Sequence, residues 1–243
     1  MTLNYPIEIL LEDKAIVVVN KPPGLLTLPD RFATSKPSIL GDLTKKYGKI
    51  FTVHRLDKET SGILIFAKNE DAHRKLSIAF EKRGVDKIYL ALVEGSTHVD
   101  EGEIDKPIGE HATQAGKMAI TNAGKPSLTL WRVRERFRNF TLVEAKIMTG
   151  RTHQIRVHFQ SIGYPLAVDA VYGRRESIFL SDIKPKTIKM GKLAEPQPLM
   201  SRTTLHAFRL VFDHPVTGER TTVEAGLHKD FQAVVNQLQK WGK

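Results

Sequence analysis

The sequence predicts an α+β fold, a single domain over residues 1–243 built on a largely antiparallel mixed sheet with flanking helices. Three observations carry this. Runs of β-branched and aromatic residues recur along the whole chain. Pairs of these runs are joined by short turns, as in antiparallel hairpins. Helical spacing is confined to a few separate segments, with no internal repeat and no interdomain linker.

In chain order, residues 7–11 and 15–20 read as strands around a turn at Glu12-Asp13, and Lys21-Pro22-Pro23-Gly24 ends the second. Lys21 on this fixed backbone reads either as a phosphate contact or as a solvated turn residue. Residues 30–37 are polar and broken by proline, a loop expected to be mobile, and 38–47 form a short amphipathic helix. Residues 50–53 and 63–66 are strands. Asn69 N-caps the next helix, with Glu70 and Asp71 in its first turn, Leu76, Ile78, Ala79 and Phe80 on its apolar face and Gly84 closing it.

Residues 87–93 are dense in β-formers and place Tyr89 on a strand, where a tyrosine is ordinarily half-buried packing. Residues 94–126 show little periodicity and read as irregular structure with short strands. Residues 127–136 and 140–148 alternate as a hairpin across Arg138-Asn139, with Arg132, Arg134 and Arg136 on one face. That face is either solvated or one edge of a basic groove. Thr152 is placed to N-cap a helix ending before Gly163, with Arg156 one turn along. A turn-rich connector covers 163–173, and a polar, basic insertion expected at the surface covers 174–201. Residues 205–213 and 220–225 form a last hairpin, and 229–241 a helix with Phe231, Val234, Val235 and Leu238 on its apolar face.

Lys and Arg number 37 against 27 Asp and Glu, a formal net charge of +10 that favours a polyanionic partner, nucleic acid before an anionic membrane. No stretch resembles a membrane span, and the N-terminus lacks the pattern of a signal peptide, so a soluble cytoplasmic protein is expected. The absence of cysteine excludes disulfides, thiolate catalysis and Cys-ligated metal sites. The nine histidines show no His-x-x-x-His or His-Glu-x-x-His spacing.

The chemistry concentrates in His54-Arg55-Leu56-Asp57-Lys58-Glu59-Thr60-Ser61-Gly62, a polar loop held between two apolar strands. Asp57 lies between Arg55 and Lys58, cations that favour its ionised form and so suit it to act as nucleophile or general base. A bland alternative, in which the loop merely satisfies its own backbone, stands level for Thr60, Ser61 and Gly62 and second for Arg55 and Asp57. The order of residues does not fit a protein-kinase catalytic loop.

These motifs, with Asn20-Lys21-Pro22-Pro23-Gly24, Lys87-Ile88-Tyr89-Leu90-Ala91-Leu92-Val93, Gly150-Arg151-Thr152-His153-Gln154-Ile155-Arg156-Val157-His158, and the later Gly163-Tyr164-Pro165, Asp169, Tyr172-Gly173 and Leu205-His206-Ala207 blocks, resemble the RluA-type pseudouridine synthases over most of the chain. The resemblance implies isomerisation of uridine to pseudouridine in a tRNA or rRNA stem-loop. Asp57 would be the essential carboxylate, Tyr89 the tyrosine stacked on the uracil and Arg156 the partner of the catalytic Asp. RNA contacts would come from Arg55, which fills the place of the flipped nucleotide, and from Lys21, His54, Thr60, Arg151, His153 and Gln154. The resemblance further implies no metal, nucleotide or other cofactor, and a form without the N-terminal accessory RNA-binding domain of some relatives. A monomer is expected. A protein that binds or chaperones RNA on the same fold without turnover is the alternative, and a complete Asp57, Tyr89 and Arg156 set argues against it.

Overall fold

A computed structural model of the protein describes residues 7–30, 36–184 and 197–243. In chain order its elements are β1 (Glu8–Glu12), β2 (Ile16–Lys21), α1 (Ile39–Tyr47), β3 (Phe51–Thr52), β4 (Ser61–Ala67), α2 (Glu70–Glu81), β5 (Asp86–Glu94), β6 (Glu101–Asp105), β7 (Ile108–Glu110), β8 (Met118–Ile120), β9 (Leu128–Arg136), β10 (Phe140–Ile147), α3 (Gln154–Ser161), α4 (Leu180–Ile183), β11 (Leu205–Asp213), β12 (Arg220–Glu224) and α5 (Lys229–Trp241). The fold is α+β, with a mixed, largely antiparallel sheet and few helices.

The chain divides into two units, one of residues to Ile88 with His206–Gly226 and the other of Tyr89–Leu205 with Leu227–Lys243. The chain crosses this division three times, inside β5, at the start of β11 and between β12 and α5, and the first two crossings fall within strands, where no linker marks them in the sequence.

In the first unit the strand order is β1-β2-β4-β11, with β12 on β11 and β3 on β4. Most pairs are antiparallel, but β4 runs parallel to β11, with Ser61 opposite His206 and Gly62 opposite Ala207. That pairing is so close that a Cβ on Gly62 would lie 2.2 Å from the Ala207 carbonyl oxygen, and Gly62 also has φ +111°. Only glycine fits there. The centre of the sheet reads as continuous apolar sequence because β2 and β4 are covered on both faces. One face packs Ile16, Val18, Ile63 and Ile65 against Ala72 and Leu76 of α2 and against Leu210, Phe212 and Val223.

Helix starts in this unit follow their side-chain caps. Ser38 Oγ accepts from Gly41 N–H at 3.1 Å to begin α1, and Asn69 Oδ1 accepts from Ala72 N–H at 2.9 Å to begin α2. α2 ends at Glu81 with Lys82 as its C-cap, and the left-handed residue after it is Arg83, not Gly84. The expected strand 50–53 is reduced to Phe51–Thr52, whereas β4 begins earlier than expected and takes in Ser61 and Gly62.

In the second unit the strand order is β5-β10-β9-β6, with β7 and β8 as a separate pair. The stretch expected to be irregular therefore holds β6, β7 and β8, each of three to five residues and too short to show periodicity. The β9–β10 hairpin forms as expected, with a register shift between Leu142 and Val143. The arginines of β9 are paired: Arg132 and Arg134 with the buried Glu144, and Arg136 with Asp100. Part of 174–201 is anchored, since Ile178 and Met200 are buried and bridged to each other and α4 lies between them. Residues 185–196 of that insertion, and 31–35 of the expected loop at 30–37, lie outside the described residues.

Candidate active site

The loop before β4 is held from beneath. Lys21 closes β2 with its side chain wholly buried (0% exposed), and its Nζ donates to the carbonyls of Pro22 (3.0 Å), Leu25 (2.7 Å) and Lys58 (2.8 Å). Thr27 grips the same loop from the other side: its hydroxyl donates to Leu56 C=O at 2.9 Å and accepts from Leu56 N–H at 3.2 Å. Gly24 N–H adds a bond to Lys58 C=O at 2.9 Å, and Thr60 N–H closes a turn onto Asp57 C=O at 3.1 Å. Thus Leu56 and Lys58, on either side of Asp57, are tied by their backbones to the Lys21–Thr27 segment, while the Asp57 side chain stays partly accessible and Arg55 is exposed. The Pro-Pro-Gly sequence makes this possible, by turning the chain sharply enough for the ammonium of Lys21 to reach back to Leu25.

His54 anchors the start of the loop. Its ring stacks on Phe80 with centroids 4.8 Å apart, and its Nε2 accepts from Ile65 N–H at 3.2 Å. Burial, with the charge of Lys87 adding to it, pushes the imidazole down to about 3, so it is neutral at physiological pH. Ser61 donates its hydroxyl proton to Nδ1 of the buried His206 at 2.9 Å, because Nε2 of that ring faces the Ala225 carbonyl at 3.2 Å and must carry the hydrogen.

Several expected RNA contacts are corrected by this geometry. Lys21 is neither a phosphate contact nor a solvated turn residue; its charge is spent on carbonyl oxygens inside the protein. Thr60 is 2% exposed, and its hydroxyl has no hydrogen-bond partner among the described residues. The ring of His54 is committed to Phe80 and Ile65. Arg55 is the expected contact of this loop that remains on the surface.

In the second unit Tyr89 lies on β5, nearly buried. α3 carries the remaining candidates, and its residues Gln154 to Phe159 are all buried. Thr152 does not cap it. The residue before the helix is His153 in the left-handed conformation (φ 56°, ψ 20°) without a side-chain cap bond. Gln154, 3% exposed, instead braces the turn before the helix: its Oε1 accepts from Arg151 N–H (3.0 Å) and the Thr149 hydroxyl (2.8 Å). Its Nε2 donates to Leu128 C=O and Thr129 Oγ1, both at 3.0 Å. Gln154 is therefore a buried brace and not an RNA contact. Arg151 and His153 stay half-buried.

Arg156 is 7% exposed and not a surface helix arginine; its Nε and Nη2 meet Asp169 at 2.7 and 2.9 Å. Burial alone would push the Asp169 carboxyl up, but the Arg156 hydrogen bonds and charge, with the amides of Val171 and Tyr172, hold it below the usual carboxylate range. The guanidinium also lies 4.9 Å from the centre of the Tyr172 ring. Asp169 and Tyr172 were visible in the sequence only as parts of a motif. Their partnership with Arg156 needs the turn between α3 and Gly173 to bring them back, which no spacing rule states. Among the described residues no group of three or more His, Cys, Asp or Glu could hold a metal ion, and no helix is long and apolar enough to cross a membrane.

Residues 15–161 match the family model for RNA pseudouridylate synthase. Ribosomal large subunit pseudouridine synthase D of Pseudomonas aeruginosa is 40% identical over 96% of this chain and 72% of its own length. An uncharacterized RNA pseudouridine synthase of Bacillus subtilis, YlyB, is 39% identical over 97% of this chain and 74% of its own. Among solved structures, human RNA Pseudouridylate Synthase Domain Containing 4 superposes with a TM-score of 0.72 at 26% identity, covering 96% of this chain and 93% of that one. The chain belongs to the RNA pseudouridylate synthase family and is of its RluA type. It is an RNA-modifying isomerase.

Proposed function

We propose that the protein converts specific uridines of structured ribosomal RNA to pseudouridine, with Asp57 as the reacting carboxylate and Tyr89 and Arg156 as its companions. The observation that carries this reading is the Asp57 loop itself. Its backbone is fixed on both sides of Asp57 by Lys21 and Thr27, while Asp57 stays partly accessible beside the exposed Arg55. A carboxylate held at a fixed position, with an unburied cation next to it, suits a reaction on a nucleotide that has left its stack. Arg55 recovers part of the unstacking cost by occupying the vacated place.

The reaction breaks the bond between N1 and the sugar C1′, turns the ring and joins C5 to C1′; a proton leaves C5 and N1 ends protonated. Atoms balance without any oxidant or reductant. Asp57 serves as an ionised group near C1′ and the base, whether it attacks the sugar or removes a proton. Ribosomal RNA is preferred to tRNA because the first relative named above is a large-subunit ribosomal enzyme.

The test is pseudouridine mapping of total RNA from cells with the gene, without it, and carrying Asp57→Asn. Ribosomal sites lost together in the last two strains support the reading. Sites confined to tRNA would move the substrate, and sites retained with Asp57→Asn would remove Asp57 from the chemistry.

A further inference from the structure

His158 is a titratable side chain that the proposed chemistry does not use. It lies wholly buried on α3, with Nε2 3.0 Å from the Lys106 carbonyl and Nδ1 2.9 Å from Thr129 Oγ1. A carbonyl can only accept, so Nε2 carries the hydrogen. Burial pushes the imidazole down and keeps it neutral, which leaves Nδ1 as an acceptor. The Thr129 hydroxyl therefore donates to His158, and its oxygen accepts from Gln154 Nε2 at 3.0 Å. Gln154 is held the same way round, because Arg151 N–H can only donate to its Oε1. Thr149 donates its hydroxyl proton to the same Oε1 at 2.8 Å and accepts from Leu128 N–H at 3.2 Å. A hydrogen-bond chain of one fixed direction thus runs from Lys106 through His158, Thr129 and Gln154 to the backbone of Arg151.

The far end of this chain lies at the surface, in a turn with Gly150 and Thr152 exposed and Arg151 half-buried between them. Arg132, Arg134, Arg136, Arg156, Arg175 and Arg202 of the same unit are each held by a carboxylate. Arg151 meets none among the described residues; its Nε lies 3.4 Å from the Pro126 carbonyl. A guanidinium without a counter-charge, on a turn whose backbone is fixed from inside, suits a phosphate. We propose that His158 and Thr129 are positioning residues for RNA binding, which act through Gln154 to hold the backbone of Arg151 so that its guanidinium meets a phosphate of the substrate. The inference rests on the family's RNA substrate and on Arg151 as one of its contacts. Thr129→Val would keep shape and net charge and remove only the hydroxyl, which breaks the chain without touching the arginine.

The experiment measures Kd against salt concentration for the full-length protein on an unmodified transcript of large-subunit ribosomal RNA, in wild type, Thr129→Val, Thr129→Ser, Arg151→Gln and the Thr129→Val/Arg151→Gln double variant. Arg151→Gln should bind about tenfold more weakly and lower the slope of log affinity against log salt by about one, the mark of one lost phosphate contact. Thr129→Val removes no charge, yet it should lower the slope in the same way, while Thr129→Ser should match wild type. The double variant should bind no worse than Arg151→Gln, since both act through one contact. Ring-nitrogen shifts of His158 in 15N-labelled wild type should show a hydrogen on Nε2 alone. A slope unchanged in Thr129→Val, whatever its affinity, would reduce the chain to a structural role and overturn the proposal, as would losses that multiply in the double variant or a His158 hydrogen on Nδ1. If Thr129→Val does not fold, Gln154→Met, also uncharged, takes its place and must lower the slope likewise. A wild-type protein that binds the transcript but makes no pseudouridine in it would instead count against the proposed substrate, leaving the slopes to decide the role of the chain.

Discussion

Arg156 and Asp169 meet in two hydrogen bonds, of 2.7 and 2.9 Å, with the carboxylate at 1% exposure. Two charges taken this far out of water are tolerated because each meets the other directly and the carboxylate has further donors; the Val171 and Tyr172 amides donate to Asp169 Oδ1 at 2.9 and 3.0 Å. The pair is thereby fixed in place.

Asp169→Asn breaks that balance by leaving the guanidinium buried without its counter-charge. The expected cost is about 3–5 kcal/mol in a urea titration at pH 7. The sign of the pH dependence follows from the lowered carboxyl. Asp169 contributes stability in full above its unfolded value, about 3.9, and loses it as pH falls through the folded value, so the gap between wild type and Asp169→Asn should narrow below pH ~4. A gap unchanged from pH 7 to pH 3 would mean that the asparagine acts through packing alone.

Lys21→Met tests whether the buried ammonium holds the loop. Methionine fits the length of the side chain but offers nothing to the carbonyls of Pro22, Leu25 and Lys58. Stability should fall by roughly 3 kcal/mol, as expected when buried acceptors are left unmet. Turnover should fall further than the folded fraction, because Lys58 lies next to Asp57. Turnover that tracks the folded fraction would show that the loop keeps its place without the clamp.

Gly62→Ala is expected not to yield folded protein, since the new Cβ would sit 2.2 Å from the oxygen and 2.6 Å from the nitrogen of Ala207, at a φ of +111°. Both clashes are with backbone, so adding Ala207→Gly should rescue nothing. Circular dichroism of the soluble fraction reads the outcome, and a folded double variant would show that β4 and β11 can separate.

How much of this could be read from the sequence differs by kind of signal. Strand and helix identity came through where the pattern was local and long, as in β2, α2, β9, β10 and α5, and where a side chain caps its own helix, as Asn69 does. The polar residues fared worse. Lys21 and Gln154 each carry a group suited to RNA, yet each turns inward, because the partners that capture them lie on segments distant in sequence: Lys58 for Lys21, and Leu128 and Thr129 for Gln154. The start of α3 was misread for a related reason. A threonine before an apolar run is a sound cap signal, but the tie between His153 and Tyr172, 19 positions on, accompanies a left-handed residue there instead. β6, β7 and β8 are set by pairing and leave almost no local trace.

The last prediction concerns acid. Ile65 lies opposite Val18 of β2 in the sheet, and its N–H donates to His54 Nε2, 3.2 Å away. That nitrogen accepts only while the ring is neutral, and the fold keeps it neutral down to about 3. The unfolded chain takes up the proton near 6.5, so the unfolded state binds more protons throughout the interval between the two values. Stability from this group is therefore complete above pH 6.5 and drains away as pH falls towards 3, at no more than about 1.4 kcal/mol per pH unit. His54→Phe keeps the stack on Phe80, cannot titrate and leaves Ile65 N–H without its acceptor. It should be less stable than wild type by about 1 kcal/mol at pH 7.5. Its stability should then fall less steeply than that of wild type from pH 6.5 to 5, and the two curves should meet on the acid side of 6. Urea titrations of both proteins at half-unit steps would show it, and parallel curves across that range would mean that His54 takes up its proton without disturbing the fold.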